Sequence, residues 1–194
     1  MDEVSRTLDA YESDPDAYVE KYRSVSIAAR FGDAFFDALD GDRILDVGCG
    51  PGSDLETMVS AGYDATGLDI TPSFLRAASD RLPATSLARG DMRRLPFRNG
   101  AFDGVWSCAS FLHVPRPDAV ETLREFRRVL ADAGIVYLSV KRSETEPRDG
   151  EDRYFEYYGP DELRSALREA ALEPRRVDVH ENWVSAIAEN AGRG

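Results

Sequence analysis

The sequence predicts a doubly wound α/β fold: a seven-stranded, mostly parallel sheet with helices on both faces and an antiparallel hairpin at the C-terminal end. Three observations predict it. Apolar, strand-like runs alternate with amphipathic stretches along most of the 194 residues, the pattern of a parallel sheet covered by helices. The first such run ends in a glycine-rich turn, "DVGCGPGSD", with Gly48, Gly50 and Gly52 at alternate positions before a helix-like segment. The last two runs, Arg176 to His180 and Trp183 to Ala188, are separated by Glu181-Asn182, a plausible hairpin turn. A plain parallel nucleotide-binding sheet has no reason to finish with an antiparallel pair.

The elements follow in order. Residues 1–39 form one or two helices carrying Tyr11, Tyr18 and Tyr22, and they precede the sheet-forming part, residues 40–194. Arg43 to Val47 is the first strand, and Ser53 to Ala61 the helix after the glycines. "DATGLDI" is a second strand ending at Asp69. "TPSFLRAASDRL" is a helix that Thr71 can cap and Pro72 can start. "TSLARGD" is a short third strand and "AFDGVWSCA" a buried fourth. Asp118 to Leu130 is a strongly periodic helix that Ala133-Gly134 ends. "IVYLSV" is apolar or β-branched at nearly every position, so it is a central strand covered on both faces. Lys141 to Gly159 is long and polar for a connection, which marks a functional or mobile loop. "GPDELRSALREAAL" is the last helix.

The formal net charge is −12, from 36 acidic and 24 basic residues, and Lys21 and Lys141 are the two lysines. This acidic, lysine-poor composition resembles that of proteins from salt-accumulating halophiles. It argues against nucleic acid as partner, which needs clustered Lys and Arg. The two cysteines, Cys49 and Cys108, make no disulfide framework, and reduced thiols point to the cytoplasm. The acidic, polar N-terminus lacks the form of a secretory signal. No apolar run approaches the roughly 18 residues of a membrane span.

A strand, a glycine-rich turn and a helix bring backbone close to a ligand, and the amides at the helix start attract anionic or polar groups. Dinucleotide binding wants G-x-G-x-x-G. This loop reads Gly48-Cys49-Gly50-Pro51-Gly52, and Pro51 removes one backbone donor. Asp46 at the strand end repels a phosphate and welcomes an ammonium. The loop therefore suits a smaller head, such as an amino-acid carboxylate and amine.

"ILDVGCGPG" resembles the first motif of class I S-adenosylmethionine-dependent methyltransferases, which have a Rossmann-like fold. Asp69 in "GLDIT" lies 23 positions after Asp46 (69 − 46), where the family binds ribose hydroxyls. "GDMRRLPF" resembles the adenine segment, with Asp91 on the adenine amino group and the Met92 amide facing the ring. "FDGVWSCASFLHV" resembles the fourth-strand motif beside sulfonium and acceptor. "LREFRRVLADAGIVYLSV" resembles the following helix and strand, and the terminal hairpin matches the antiparallel seventh strand. The likeness covers about Leu39 to the C-terminus. It implies S-adenosylmethionine as cofactor, held by Asp46, Gly48, Cys49, Gly50, Gly52, Asp69, Ile70, Asp91, Met92, Ser107, Cys108 and Tyr22. It also implies that residues 1–39 act as a cap or lid.

Around the acceptor, the candidates are Tyr18, Phe111, His113, Arg116, Arg142, Tyr157 and Tyr158. His113 is the one candidate general base, set against a structural role. Asp103 and His180 read as structural, and no metal set is apparent. The inserts are small, and the Asn/Asp-Pro-Pro-aromatic signature of amino-directed nucleic-acid methylases is replaced by "SCASFLHV". A small-molecule acceptor is the first reading. A protein or RNA acceptor, or a cofactor-binding protein with little catalysis, are the alternatives.

Overall fold

The computed structural model describes residues 2–143 and 152–192. Four short helices come first: α1 (Glu3–Ser13), α2 (Pro15–Tyr22), α3 (Ala28–Phe31) and α4 (Asp33–Phe36). The α/β part follows as β1 (Arg43–Val47), α5 (Ser53–Ser60), β2 (Asp64–Asp69), α6 (Pro72–Arg81), β3 (Ser86–Arg89) and β4 (Phe102–Cys108). A short 3-10 turn, Phe111–His113, leads to α7 (Arg116–Val129) and β5 (Leu130–Arg142). The chain then runs through β6 (Tyr157–Tyr158), α8 (Pro160–Glu169), β7 (Leu172–Val179) and β8 (Trp183–Asn190).

The sheet order is β3-β2-β1-β4-β5-β8-β7, with the two-residue β6 paired to β5 outside that path. β1 to β5 are parallel, whereas β8 runs antiparallel between β5 and β7. The chain order reverses between β1 and β4, so a crevice opens outside their carboxyl ends. Gly134 to Val140 of β5 are buried, as befits a strand between two neighbours with both faces covered. One face packs Leu45, Val105, Val136 and Leu138 against Leu123, Phe126 and Leu163 of α7 and α8. The other packs Ile44, Trp106 and Tyr137 against Phe35 of α4 and Leu55 and Met58 of α5.

Two features differ from the sequence reading. Ala133-Gly134 does not end α7; the helix stops at Val129, and Leu130 is already extended and paired with Phe102. Ala133 has φ 60°, and a Cβ on Gly134 would lie 2.9 Å from the Ala131 carbonyl oxygen. The pair therefore forms a bulge inside β5, which sequence cannot distinguish from a helix stop. Thr71 precedes α6 without capping it through its side chain. Glu12 of α1 takes the Ser73 amide and hydroxyl at 2.9 and 2.8 Å, a contact 61 positions away in sequence. Of the long polar connection, residues 144–151 lie outside the described residues.

At the amino end of the sheet, Asp103 accepts from the Arg43 amide and guanidinium at 2.6–3.1 Å. The Arg43 side chain beside it holds the Asp103 carboxyl below the usual carboxylate range. This joins β1 to β4 far from the crevice, the structural role expected of Asp103.

Candidate functional site

The three loop glycines all take left-handed backbone, with φ of 75°, 53° and 88° at Gly48, Gly50 and Gly52. Their surroundings differ. A Cβ on Gly48 would sit 2.3 Å from the Ser110 Cβ, and one on Gly52 3.3 Å from the Ala78 Cβ. A Cβ on Gly50 would meet nothing within 4 Å, because it would enter a cavity. Ligand approach is thus the business of Gly50. Gly48 and Gly52 let the loop fold against the chain after β4 and against α6.

The loop is tied down from the neighbouring strand. The Leu68 carbonyl accepts from the Gly48 and Cys49 amides at 2.7 and 3.0 Å. Asp69 accepts from the Gly50 amide at 2.9 Å and from the Thr71 amide at 2.8 Å. Across the sheet, the Ser110 hydroxyl donates to the Val47 carbonyl at 2.6 Å and meets the Ser107 hydroxyl at 2.8 Å.

The cavity measures about 860 Å³. Asp46, Gly48, Cys49, Gly50, Asp69, Ile70, Asp91, Met92, Cys108, Tyr22 and His113 all line it, so most of the sequence-predicted set converges. Asp46 is 2% exposed, and its Oδ2 has no hydrogen-bond partner among the described residues. Burial, followed by the nearby charges of Asp54 and Asp69, pushes its carboxyl well up. Burial likewise raises Asp69, against the amides of Thr71 and Gly50, which hold its charge. Asp91 is engaged, taking the Arg93 amide and guanidinium at 2.7–3.2 Å. The Cys49 thiol is raised by burial and so is not a reactive thiolate. Among the described residues no group of three or more His, Cys, Asp or Glu can hold a metal ion.

Several predicted residues lie elsewhere. Ser107 is wholly buried and serves the Ser110 hydroxyl, and Gly52 supports the turn. Phe111 and Tyr158 are core side chains with no exposure. Arg116 stands over the Tyr158 ring at 4.0 Å and pairs with Glu156, beside a separate shallow hollow. Neither Tyr157 nor Arg142 lines the cavity. Tyr18 stacks on Tyr22, ring centres 6.2 Å apart, outside the lining. Ser107, Gly52, Phe111, Tyr158, Arg116 and Tyr18 are thus engaged in packing or pairing outside the cavity lining.

Other residues join the site without a sequence signal. Asp54, in the first turn of α5, accepts the Ile27 and Ala28 amides and the Ser26 hydroxyl on Oδ1, and the Trp106 indole on Oδ2. Lys21 of α2 lines the cavity with its ammonium 5.2 Å from the Tyr22 ring centre. Arg153 is 9% exposed and donates to the Tyr22 hydroxyl at 2.8 Å and the Tyr11 hydroxyl at 3.3 Å.

The comparisons with known proteins bear on this geometry. Residues 44–134 match the family described as a methyltransferase domain. The chain is 33% identical over 165 residues to the malonyl-[acyl-carrier protein] O-methyltransferase of Geobacter sulfurreducens, covering 75% of this chain and 60% of that protein. Residues 44–134 are thus a methyltransferase domain, and the relatives support the class I S-adenosylmethionine-dependent family. It is 31% identical over 160 residues to the ubiquinone biosynthesis O-methyltransferase of Bordetella avium, covering 71% of this chain and 64% of that protein. In both cases the chain spans less than two thirds of the relative's own length. A chain from the complex of the Haloferax volcanii Trm112 methyltransferase activator with a methyltransferase shares the fold at TM-score 0.80 and 20% identity, over 97% of this chain and 99% of that one.

In this methyltransferase domain both nitrogens of His113 are in use. Nδ1 lies 2.6 Å from the Tyr154 carbonyl, which can only accept, so Nδ1 carries the proton. Nε2, 3.0 Å from the Tyr11 hydroxyl, is then the acceptor. Burial, reinforced by the Arg153 charge, pushes the imidazole down to about 4. A neutral, doubly bonded, weakly basic histidine that anchors α1 is a poor general base.

The depressed value has a consequence for stability. The unfolded chain takes up this proton near pH 6.5 and the folded chain only near 4. The contribution of neutral His113 is therefore complete above 6.5 and declines as pH falls toward 4. Between pH 7 and 5 the native protein should lose about 2 kcal/mol more unfolding free energy than His113→Gln. Urea unfolding of both proteins at the two pH values checks this; parallel losses would contradict it.

Proposed function

We propose that the chain transfers a methyl group from S-adenosylmethionine to a small-molecule acceptor, with residues 1–39 as a cap over the cavity. The observation that carries the reading is Asp46: a buried carboxylate oxygen lacks a partner among the described residues, close to a glycine loop in which Gly50 leaves open space for a ligand. An amino-acid ammonium satisfies that oxygen, and a phosphate does not. Lys21, on the cavity wall, supplies charge for the carboxylate of the same group. Asp69 faces the cavity as a hydrogen-bond acceptor for ribose hydroxyls, and Met92 and Ile70 offer apolar surface for the base. The residues present therefore fit the cofactor.

When bound, the cofactor supplies an electrophilic methyl group whose S–CH₃ bond breaks with its electron pair left on sulfur. The protein's part is to orient and to exclude water. α1 and α2 supply Thr7, Leu8, Tyr11 and Tyr22 to the cavity wall. Their attachments are made by Glu12 to Ser73, by Thr7 to the Tyr154 amide and by the Ser53 hydroxyl to the Tyr22 carbonyl. With His113 occupied, the acceptor's proton leaves to solvent or to a group on the acceptor itself.

Small-molecule acceptors are supported by the size of the cavity, about 860 Å³, and by a relative named for ubiquinone biosynthesis. No helix of the described residues is long and apolar enough to cross a membrane. Incubation with methyl-labelled S-adenosylmethionine and fractionated cell extract tests the proposal. Label is expected in a low-molecular-weight product. Label in protein or RNA would shift the acceptor class, and tight cofactor binding without any transfer would favour a binding protein.

A further inference from the structure

The cavity extends beyond the space around Asp46 and Asp69. Its lining continues onto one face of β5, β8 and β7, where Tyr137 is paired with Ile187, Ser139 with Ser185, and Ser185 with Asp178. Alternate residues on these strands, Leu138, Val140 and Val184, pack into the core on the opposite face. At about 860 Å³ the cavity is near the upper end of the roughly 300–1,000 Å³ typical of sites for one drug-sized ligand.

The extension is graded. Its inner end is a cluster of neutral hydroxyls: Ser139 accepts from the Ala109 amide at 3.0 Å and donates to the Cys108 thiol at 3.5 Å, and Tyr137 and Ser185 line the cavity beside it. The Tyr137 ring is fixed by stacking on Trp106 at 3.8 Å. Hydroxyls that both donate and accept suit a neutral head there. Toward solvent the apolar side chains Val25, Phe31 and Ile187 share the lining with Lys141, Arg176, Asp178 and His180. Val25 is 48% and Phe31 59% exposed, and only Val179 joins them as an exposed large apolar side chain among the described residues. Exposed apolar side chains at a cavity mouth mark a binding surface.

We propose that this extension holds the methyl acceptor, and that the acceptor is amphipathic. Its neutral, hydroxyl-bearing head lies by Ser139 and Ser185, next to the end of β4, and its apolar substituent leaves past Ile187 between Val25 and Phe31. The inference rests on the methyl-transfer reading and adds the substrate class to it.

Phenol, 4-propylphenol and 4-hexylphenol are the probes, titrated by calorimetry into protein saturated with S-adenosylhomocysteine. Affinity is expected to rise at least tenfold from phenol to 4-hexylphenol. Phe31→Glu, at an exposed position that folding tolerates, should remove most of that gain and leave S-adenosylhomocysteine affinity within twofold; Val25→Glu should act in the same direction. Equal affinity for all three phenols, indifference to both variants, or displacement of S-adenosylhomocysteine by 4-hexylphenol would overturn the proposal. The same titrations without S-adenosylhomocysteine separate the two readings. Phe31-dependent hexylphenol binding in a protein that never binds S-adenosylhomocysteine would sink methyl transfer and leave the compartment standing. S-adenosylhomocysteine binding without chain-length dependence would do the reverse.

Discussion

Gly48→Ala is expected to destabilise the fold by about 2–5 kcal/mol. Two causes add. An L-residue at φ 75° costs about 1–2 kcal/mol, and overpacking against the Ser110 Cβ, 2.3 Å from the new methyl, costs about 1–3 more. Ser110 cannot easily retreat, since its hydroxyl bridges the Val47 carbonyl and Ser107. Gly50→Ala is the internal control. Its φ is also left-handed, but its methyl meets nothing within 4 Å, so it should cost only about 1–2 kcal/mol of stability while obstructing the ligand. Denaturant unfolding and cofactor titration of both variants check the contrast. Equal stability losses would show that Gly48 is needed for its backbone angle alone.

Asp69→Ala is expected to weaken S-adenosylhomocysteine binding by roughly 1–3 kcal/mol, about five- to 150-fold. The carboxylate has two tasks. It holds the Gly50 and Thr71 amides, which fixes the loop relative to β2 and α6, and in the proposed cofactor site it is the acceptor for the ribose hydroxyls. Asp69→Asn retains an acceptor for one amide and should fall between the wild type and alanine. Calorimetric titration of the three proteins decides; unchanged affinity in Asp69→Ala would remove this residue from the site.

The fold was legible because its determinants are local or periodic. A β-branched run such as "IVYLSV" must be covered on both faces, and a hairpin separated by Glu181-Asn182 must be antiparallel. The cofactor side of the cavity was legible for a similar reason: Asp46, Gly50, Asp69 and Met92 sit at strand ends or in the turns that follow them, and parallel strands bring those ends together. The acceptor side was not. Phe111 and Tyr158 look like pocket aromatics by position, yet hydrophobic burial takes them into the core. Arg116 is held on the surface by Glu156. The residues that do line the extension, Ser139, Ser185 and Phe31, meet only because β8 inserts between β5 and β7 and because Phe31 of α3 comes up beside His180, just past β7. Such contacts span tens of positions and leave no spacing to read. The Tyr11–His113–Tyr154 chain is the same kind of object. Sequence offered a histidine near the fourth strand, and only tertiary contact shows both of its nitrogens occupied.

Calorimetric titration with S-adenosylhomocysteine and, separately, with a nicotinamide dinucleotide tests the central claim most directly. Micromolar binding of S-adenosylhomocysteine, abolished or strongly weakened by Asp46→Ala, with no heat from the dinucleotide, is the predicted result. Micromolar dinucleotide binding with no response to S-adenosylhomocysteine would contradict the account.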